Sequence, residues 1–201
     1  EGRWKNNLFH GDGKYIYSNG DIYEGDWIKG EYNGKGKLSS SNGDEYIGLW
    51  ANGKKEGQGI LSDLNGQKYV GQWTRDLRSG DGSQTYLNGD KYEGEWLENK
   101  RDGFGIMTYA NGNQYEGKWN KGLRNGIGTL TYANGDIFSG KWEDGRKNGK
   151  GTINYVNGDQ YDGDWSNNKI QGLGVFTYSN GSSYDGEWLN GKRNGRGTFI
   201  T

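Results

Sequence analysis

Tyr92-Glu93-Gly94-Glu95-Trp96 decides the fold, because the chain writes this stretch again and again at one spacing. The nine tryptophans are Trp4, Trp27, Trp50, Trp73, Trp96, Trp119, Trp142, Trp165 and Trp188, at a constant interval. A glycine stands two residues before each of them, from Gly2 to Gly186. Two residues earlier stands an aromatic: Tyr23, Tyr46, Tyr69, Tyr92, Tyr115, Phe138, Tyr161 and Tyr184. Self-similarity at a fixed period of this length is the signature of a repeat architecture.

The periodicity overrules the composition. Hydrophobic residues make up 29% of the chain, which alone would suggest disorder, since so little apolar surface cannot offset chain entropy. Yet all 40 glycines occupy fixed repeat positions. Aromatics reach 14%, mostly Tyr and Trp, which bury large areas while keeping a polar handle. A thin array in which each unit buries rings against its neighbours fits better than one compact core. A net charge of −1 gives no global basic field for nucleic acid. The chain has no cysteine, hence no disulfide framework or thiolate metal site. It has no run of 18 apolar residues and no signal peptide. It starts and stops in mid-repeat, and we expect one continuous array over residues 1–201, cut from a longer protein.

Residues 103–125, GFGIMTYANGNQYEGKWNKGLRN, serve as the model unit. Asn111-Gly112 separates two strand-like runs, roughly 105–110 and 114–119, and predicts a hairpin. A two-residue loop would put Tyr109 and Tyr115 on opposite faces. A three-residue loop, Ala110-Asn111-Gly112 with a glycine bulge, gathers the aromatics on one face and is the expected geometry. The intervening glycines leave room for rings to lie over the backbone, so a β-branched residue there should push a Trp out of place. Nine such units at two strands each would span roughly 80–90 Å. The fold expected is all-β: an elongated single-layer antiparallel sheet of stacked β-hairpins, twisted into a trough.

The pattern Tyr-x-Gly-x-Trp-x-x-Gly-x-x-x-Gly-x-Gly-x-x-x-Tyr-x-Asn-Gly-Asp, seen nearly unbroken over 92–113 and 138–159, resembles the MORN repeat (membrane occupation and recognition nexus) along essentially the whole chain. The resemblance implies an array of β-hairpins and a non-catalytic scaffold that binds other proteins. It also implies cytoskeletal, flagellar or junctional-membrane settings, or a place beside an enzyme domain. The chain departs from the pattern at Ser40 and Asp63, which replace the first-strand tyrosine, at Phe138, and at Gln84, where other repeats carry an apolar residue. The aromatic ladder is thinner over 34–90, so a binding surface on it should favour the C-terminal half.

Several features that suggest chemistry have plainer explanations. The pairs Glu24/Asp26, Glu93/Glu95, Asp162/Asp164 and Asp185/Glu187 lie on one strand face, but no nucleophile or partner base converges on them. Gly48–Lys54 and Gly186–Lys192 approach a phosphate-binding loop but continue with Lys55 and Arg193 where a Ser or Thr is needed. His10 is the only histidine. Asp21, Asp44, Asp90, Asp136 and Asp159 are read as turn stabilisers rather than calcium ligands. No enzyme activity and no cofactor are expected.

Two residue sets remain. Tyr86, Tyr109, Tyr132, Tyr155 and Tyr178 form the candidate partner-binding trough, for a protein segment or a second copy of the array. Lys55, Arg78, Arg101, Arg124, Lys147 and Arg193 share one repeat position, interrupted by Phe9, Tyr32 and Ile170, and would line one edge as a basic ladder. The ladder would fix a partner's register, pair with strand acids, or, in the alternative reading, dock a peripheral module on anionic phospholipid. A third reading makes the array accessory to an enzyme outside this segment. An intracellular location is expected, in the cytoplasm or on the cytoskeleton or a cilium, with the peripheral membrane as the alternative.

Overall fold

A computed structural model describes residues 1–201 as eighteen strands and no helix. The chain divides into two compact units, Glu1–Lys100 and Arg101–Thr201. Within each unit, successive strands pair antiparallel with the one before and the one after.

Two kinds of turn alternate. Strand Lys100–Thr108 pairs with Gln114–Asn120 in the register Met107↔Tyr115 and Gly105↔Gly117. Tyr109 N–H donates to Asn113 O at 2.9 Å, and Gly112 N–H to Tyr109 O at 2.9 Å. The loop is therefore Ala110-Asn111-Gly112, with Gly112 at φ 88° as the bulge residue. The three-residue reading holds, and Tyr109, Met107, Tyr115 and Trp119 share a face.

The second turn has two residues. Asn120 pairs with Leu123 across Lys121 (φ 48°) and Gly122 (φ 89°), two consecutive left-handed residues, as a type I′ turn requires. A bulge follows. Between Gly117↔Gly128 and Trp119↔Arg124 the register shifts, and residues 125–127 stand opposite Lys118 alone. The extra residues are absorbed in pairs, so Arg124 returns to the aromatic face.

The core is one ring thick. Tyr115 is fully buried, its ring edge-on to Trp119 and to Trp142 of the next repeat, both at 5.2 Å. The same alternation runs through Tyr46, Trp50, Tyr69 and Trp73 in the first unit. Edge-to-face pairs at such distances contribute about 0.5–1.5 kcal/mol each beyond their burial. The polar handles are satisfied: Tyr115 O–H donates to Lys118 O at 3.0 Å, and Trp119 Nε1–H to Gly105 O at 3.1 Å. Glycine is required where the tyrosine lies down. A Cβ on Gly128 would land on the Tyr115 hydroxyl, and one on Gly117 would come within 2.8 Å of it. The ring displaced first is thus the tyrosine, not the tryptophan.

The opposite face carries exposed ion pairs such as Lys14–Glu24 at 2.6 Å and Lys150–Asp164 at 2.8 Å. In the second unit it also exposes Phe104, Ile127 and Leu173, so it is not uniformly charged. The turn carboxylates tie successive turns together. Asp136 accepts from its own N–H-flanking partner Asn134 Nδ2 at 2.9 Å and from Val156 N–H, one repeat on, at 2.9 Å. Asp159 accepts likewise from Ser179 N–H at 2.8 Å, a bond that holds its carboxyl below the usual carboxylate range.

Candidate partner-binding face

The two candidate sets lie on one face. The basic ladder does not run along a separate edge; its members cover the rings. Each antiparallel pair sets the ladder residue directly across from a tryptophan, as in Trp119↔Arg124. The guanidinium of Arg124 sits 4.2 Å from the Trp142 ring centre and 5.6 Å from that of Tyr115, and donates to Gly145 O at 2.9 Å. Arg101 lies 4.3 Å from Trp119 and donates to Gly122 O at 2.7 Å. Arg78 lies 4.7 Å from Trp96, and Lys55 lies 5.3 Å from both Tyr46 and Trp73. Arg193 is the exposed member, over Tyr184 at 5.0 Å.

Lys147 is enclosed most fully. It is 8% exposed, with Phe138 and Trp165 centres at 4.7 Å and Tyr132 at 5.2 Å. Burial, assisted by the nearby Arg124 charge, pulls its amine down to about 8. The residues that interrupt the ladder occupy the same place. Phe9 stacks on Trp27 at 4.8 Å, Tyr32 on Tyr23 at 3.7 Å, and Ile170 is buried. The position is a roof over the Tyr–Trp pair. It accepts a planar cation, an aromatic ring or an aliphatic chain, because each can cover a π-face.

The first-strand tyrosines stand beside the roof. Tyr86 in the first unit, and Tyr109, Tyr132, Tyr155 and Tyr178 in the second, are all half-buried. Burial raises the Tyr132 and Tyr155 hydroxyls above their ordinary value. Tyr155 packs on Phe176 at 6.0 Å, Phe176 on Tyr178 at 4.7 Å, and Arg193 donates to the Tyr178 hydroxyl. The rings of Tyr132, Tyr155 and Tyr178 thus pack against roof residues or Phe176, and the fold supplies no helix to cover them.

The strand carboxylates have structural partners. Asp26 accepts from Lys35 N–H at 2.9 Å, Asp164 from Leu173 N–H at 3.0 Å, and Glu187 from Arg196 N–H at 3.2 Å. No cluster of three acidic or histidine side chains is arranged to hold a metal ion, and no helix is long and apolar enough to cross a membrane.

Comparison with known proteins agrees with the period. A family model described as the MORN repeat matches nine consecutive segments: 1–22, 23–45, 46–68, 69–91, 92–114, 115–137, 138–160, 161–183 and 184–200. No curated protein matches. Among solved structures, the wild-type TCP10 domain of Danio rerio CPAP in complex with a peptide of Danio rerio STIL is similar at TM-score 0.51 and 12% identity, over 87% of this chain and 77% of that one. The SAS-4 (dCPAP) TCP domain of Drosophila melanogaster, in complex with a proline-rich motif of Ana2, is similar at TM-score 0.43 and 13% identity, over 94% and 90%. At such identities the likeness is one of fold.

Proposed function

Because this chain belongs to the MORN repeat family, matched along 1–200, we propose that it is a non-catalytic protein-interaction scaffold. A partner segment, or a second copy of the chain, lies across the tyrosine face. Tyr109, Tyr132, Tyr155 and Tyr178 are its contacts in the second unit, and Tyr86 is the equivalent in the first. One observation carries the reading: Tyr132, Tyr155 and Tyr178 pack against Lys147, Phe176 and Arg193, yet all five rings stay partly exposed. Preorganised aromatic rings are the side chains that most often anchor protein interfaces. The TCP10 domain of CPAP, with its STIL peptide, is a precedent for a related fold that takes a polypeptide. A cytoskeletal or ciliary assembly is the setting we propose.

The roof geometry favours this reading over a lipid-binding rail. Arg101 and Arg124 are committed to ring faces and backbone carbonyls, which leaves their charge poorly placed for a membrane surface. A pull-down from native lysate, run beside flotation on phosphatidylserine vesicles, tests it. A discrete protein retained by the wild type, and lost with Tyr132→Ala/Tyr155→Ala of unchanged circular dichroism, is the expected result. Undiminished retention by that variant, or salt-sensitive flotation in its place, would overturn the tyrosine-face reading.

A further inference from the structure

Between Tyr17 and Tyr178 the tyrosine column has two gaps, Ser40 and Asp63, both in the first unit. The complete repeats show what a tyrosine touches at this position. Its hydroxyl meets the roof residue, as Tyr17 meets Tyr32 and Tyr178 meets Arg193. Its ring packs on the residue two before it, as Tyr17 does on Tyr15 at 4.6 Å and Tyr178 on Phe176 at 4.7 Å. It also packs on the equivalent residue one repeat on, as Tyr155 does on Phe176 at 6.0 Å and Tyr178 on Phe199 at 6.1 Å. Moved to position 63, these partners are Arg78, Leu61 and Gln84. Moved to position 40, they include Lys55 and Leu61.

Those four residues line a single cavity of about 420 Å³, with Trp73 in its wall. Asp63 is itself in its wall, and since about 150 Å³ suffices for a benzene ring, there is room here for the ring of the tyrosine missing at position 63. Asp63 does not fill the space. Its carboxylate folds back onto its own turn, accepting from Asn65 N–H at 2.8 Å, Gln67 N–H at 3.0 Å and Gln67 Nε2 at 2.8 Å. The donors that would meet a hydroxyl are in place: Arg78 is held beside the gap by Gln84 Oε1 at 2.9 Å and by Asn99 Oδ1 at 3.3 Å.

We propose that this cavity is a binding site for a tyrosine side chain of a partner polypeptide, seated where the repeat's own tyrosine is missing. The ring lies against Leu61 and the aliphatic part of Gln84, and its hydroxyl oxygen accepts from Arg78 or Lys55. The site rests on the scaffold reading and deepens it by giving the partner a specific anchor in the first unit. A partner tyrosine buries a large, stiff ring there at low conformational cost.

The test uses N-acetyl-tyrosinamide as probe and the whole chain labelled with ¹⁵N. Saturable shifts of the Trp73 indole and Gln84 side-chain amide signals are expected, with dissociation in the millimolar range. N-acetyl-phenylalaninamide, which lacks the hydroxyl, should bind about tenfold more weakly. The blocking variant is Asp63→Tyr/Gln67→Asp. It converts residues 63–67 to the sequence that the chain already carries at Tyr86-Leu87-Asn88-Gly89-Asp90, so the turn keeps its bonding. This variant should melt at or above the wild-type temperature and lose the probe. Absence of saturable shifts in the wild type, equal binding by the blocked variant, or stronger displacement of the same signals by inorganic phosphate would each overturn the proposal. The assay involves no partner of the tyrosine face. Its failure overturns this site alone, whereas a failed pull-down overturns the tyrosine-face reading, so the two outcomes are distinguishable.

Discussion

Replacing Lys147 with methionine should stabilise the protein at neutral pH. The amine is enclosed among Tyr132, Phe138 and Trp165, and burial takes it from 10.5 to about 8. At about 1.4 kcal/mol per pH unit, holding the charge there costs about 3 kcal/mol. That cost is net of the attraction of the three ring faces. Methionine has similar length, carries no charge to desolvate and packs well against rings, so Lys147→Met should gain about 2–3 kcal/mol at pH 7. The pH dependence gives the sharper measurement. Between pH 8 and 10.5 the unfolded chain holds a proton on Lys147 that the folded chain has released, so wild-type stability rises with pH across that window. Urea unfolding at pH 7.0 and 9.5 should show the wild type gaining about 2 kcal/mol more than the variant, since every other group titrates alike in both. Equal pH slopes, or a variant less stable than wild type at pH 7, would refute the argument.

Other perturbations read other parts of the core. Phe138→Tyr restores the hydroxyl that its counterparts direct to the carbonyl three residues on, as Tyr161 does to Asp164 O at 3.1 Å; urea titration should register a gain of about 1 kcal/mol. Gly128→Val drives a side chain into Tyr115 and should cost about 3 kcal/mol, with loss of near-UV circular dichroism; a silent substitution would show that the ring is free to move. Arg124→Glu gives up the Trp142 face and the Gly145 carbonyl and should cost about 2 kcal/mol in the same assay, whatever vesicles are present. Burial raises the Tyr69, Tyr115 and Tyr161 hydroxyls to about 12, so the stability they contribute is complete below pH 10 and is lost as pH rises through 12; a melting temperature that stays level from pH 10 to 12 would contradict their burial.

Much of this molecule was legible in its sequence, because a repeat states each requirement many times. The Trp interval gave the unit, and the demand that rings share a face selected the three-residue turn at Asn111-Gly112 over the two-residue one. The polar segment after each Trp marks the second turn, and the signal for its two-residue form is also present. Gly122 belongs to a column filled elsewhere by Asn7, Asp76, Asn99 and Asn168, all residues at home in the left-handed region. The bulge opposite Lys118 is what sets Arg124 directly across from Trp119, out of the turn and over the rings. Without it, a cation column reads as a rail. The interruptions by Phe9, Tyr32 and Ile170 were the clue, since a charged edge has no use for phenylalanine. The cavity at Asp63 lay hidden for a related reason. In the sequence Ser40 and Asp63 thin the ladder, and only in three dimensions does a missing ring become a space with donors around it.

Each core tyrosine is shared between two tryptophans, its own and the next repeat's, and this has a mechanical consequence. A hairpin pulled from the end of such a stack loses its ring contacts on one side only and leaves its neighbour's rings bare on the same side. Under load, either unit should therefore come apart one hairpin at a time rather than all at once. Each step would release a repeat of chain, about 75–80 Å when drawn straight. Repeats roofed by arginine, whose side chain clamps the next turn's carbonyl, should hold longer than the one roofed by Ile170. Such a stack would resist tension in graded steps, with the roof residues setting the size of each.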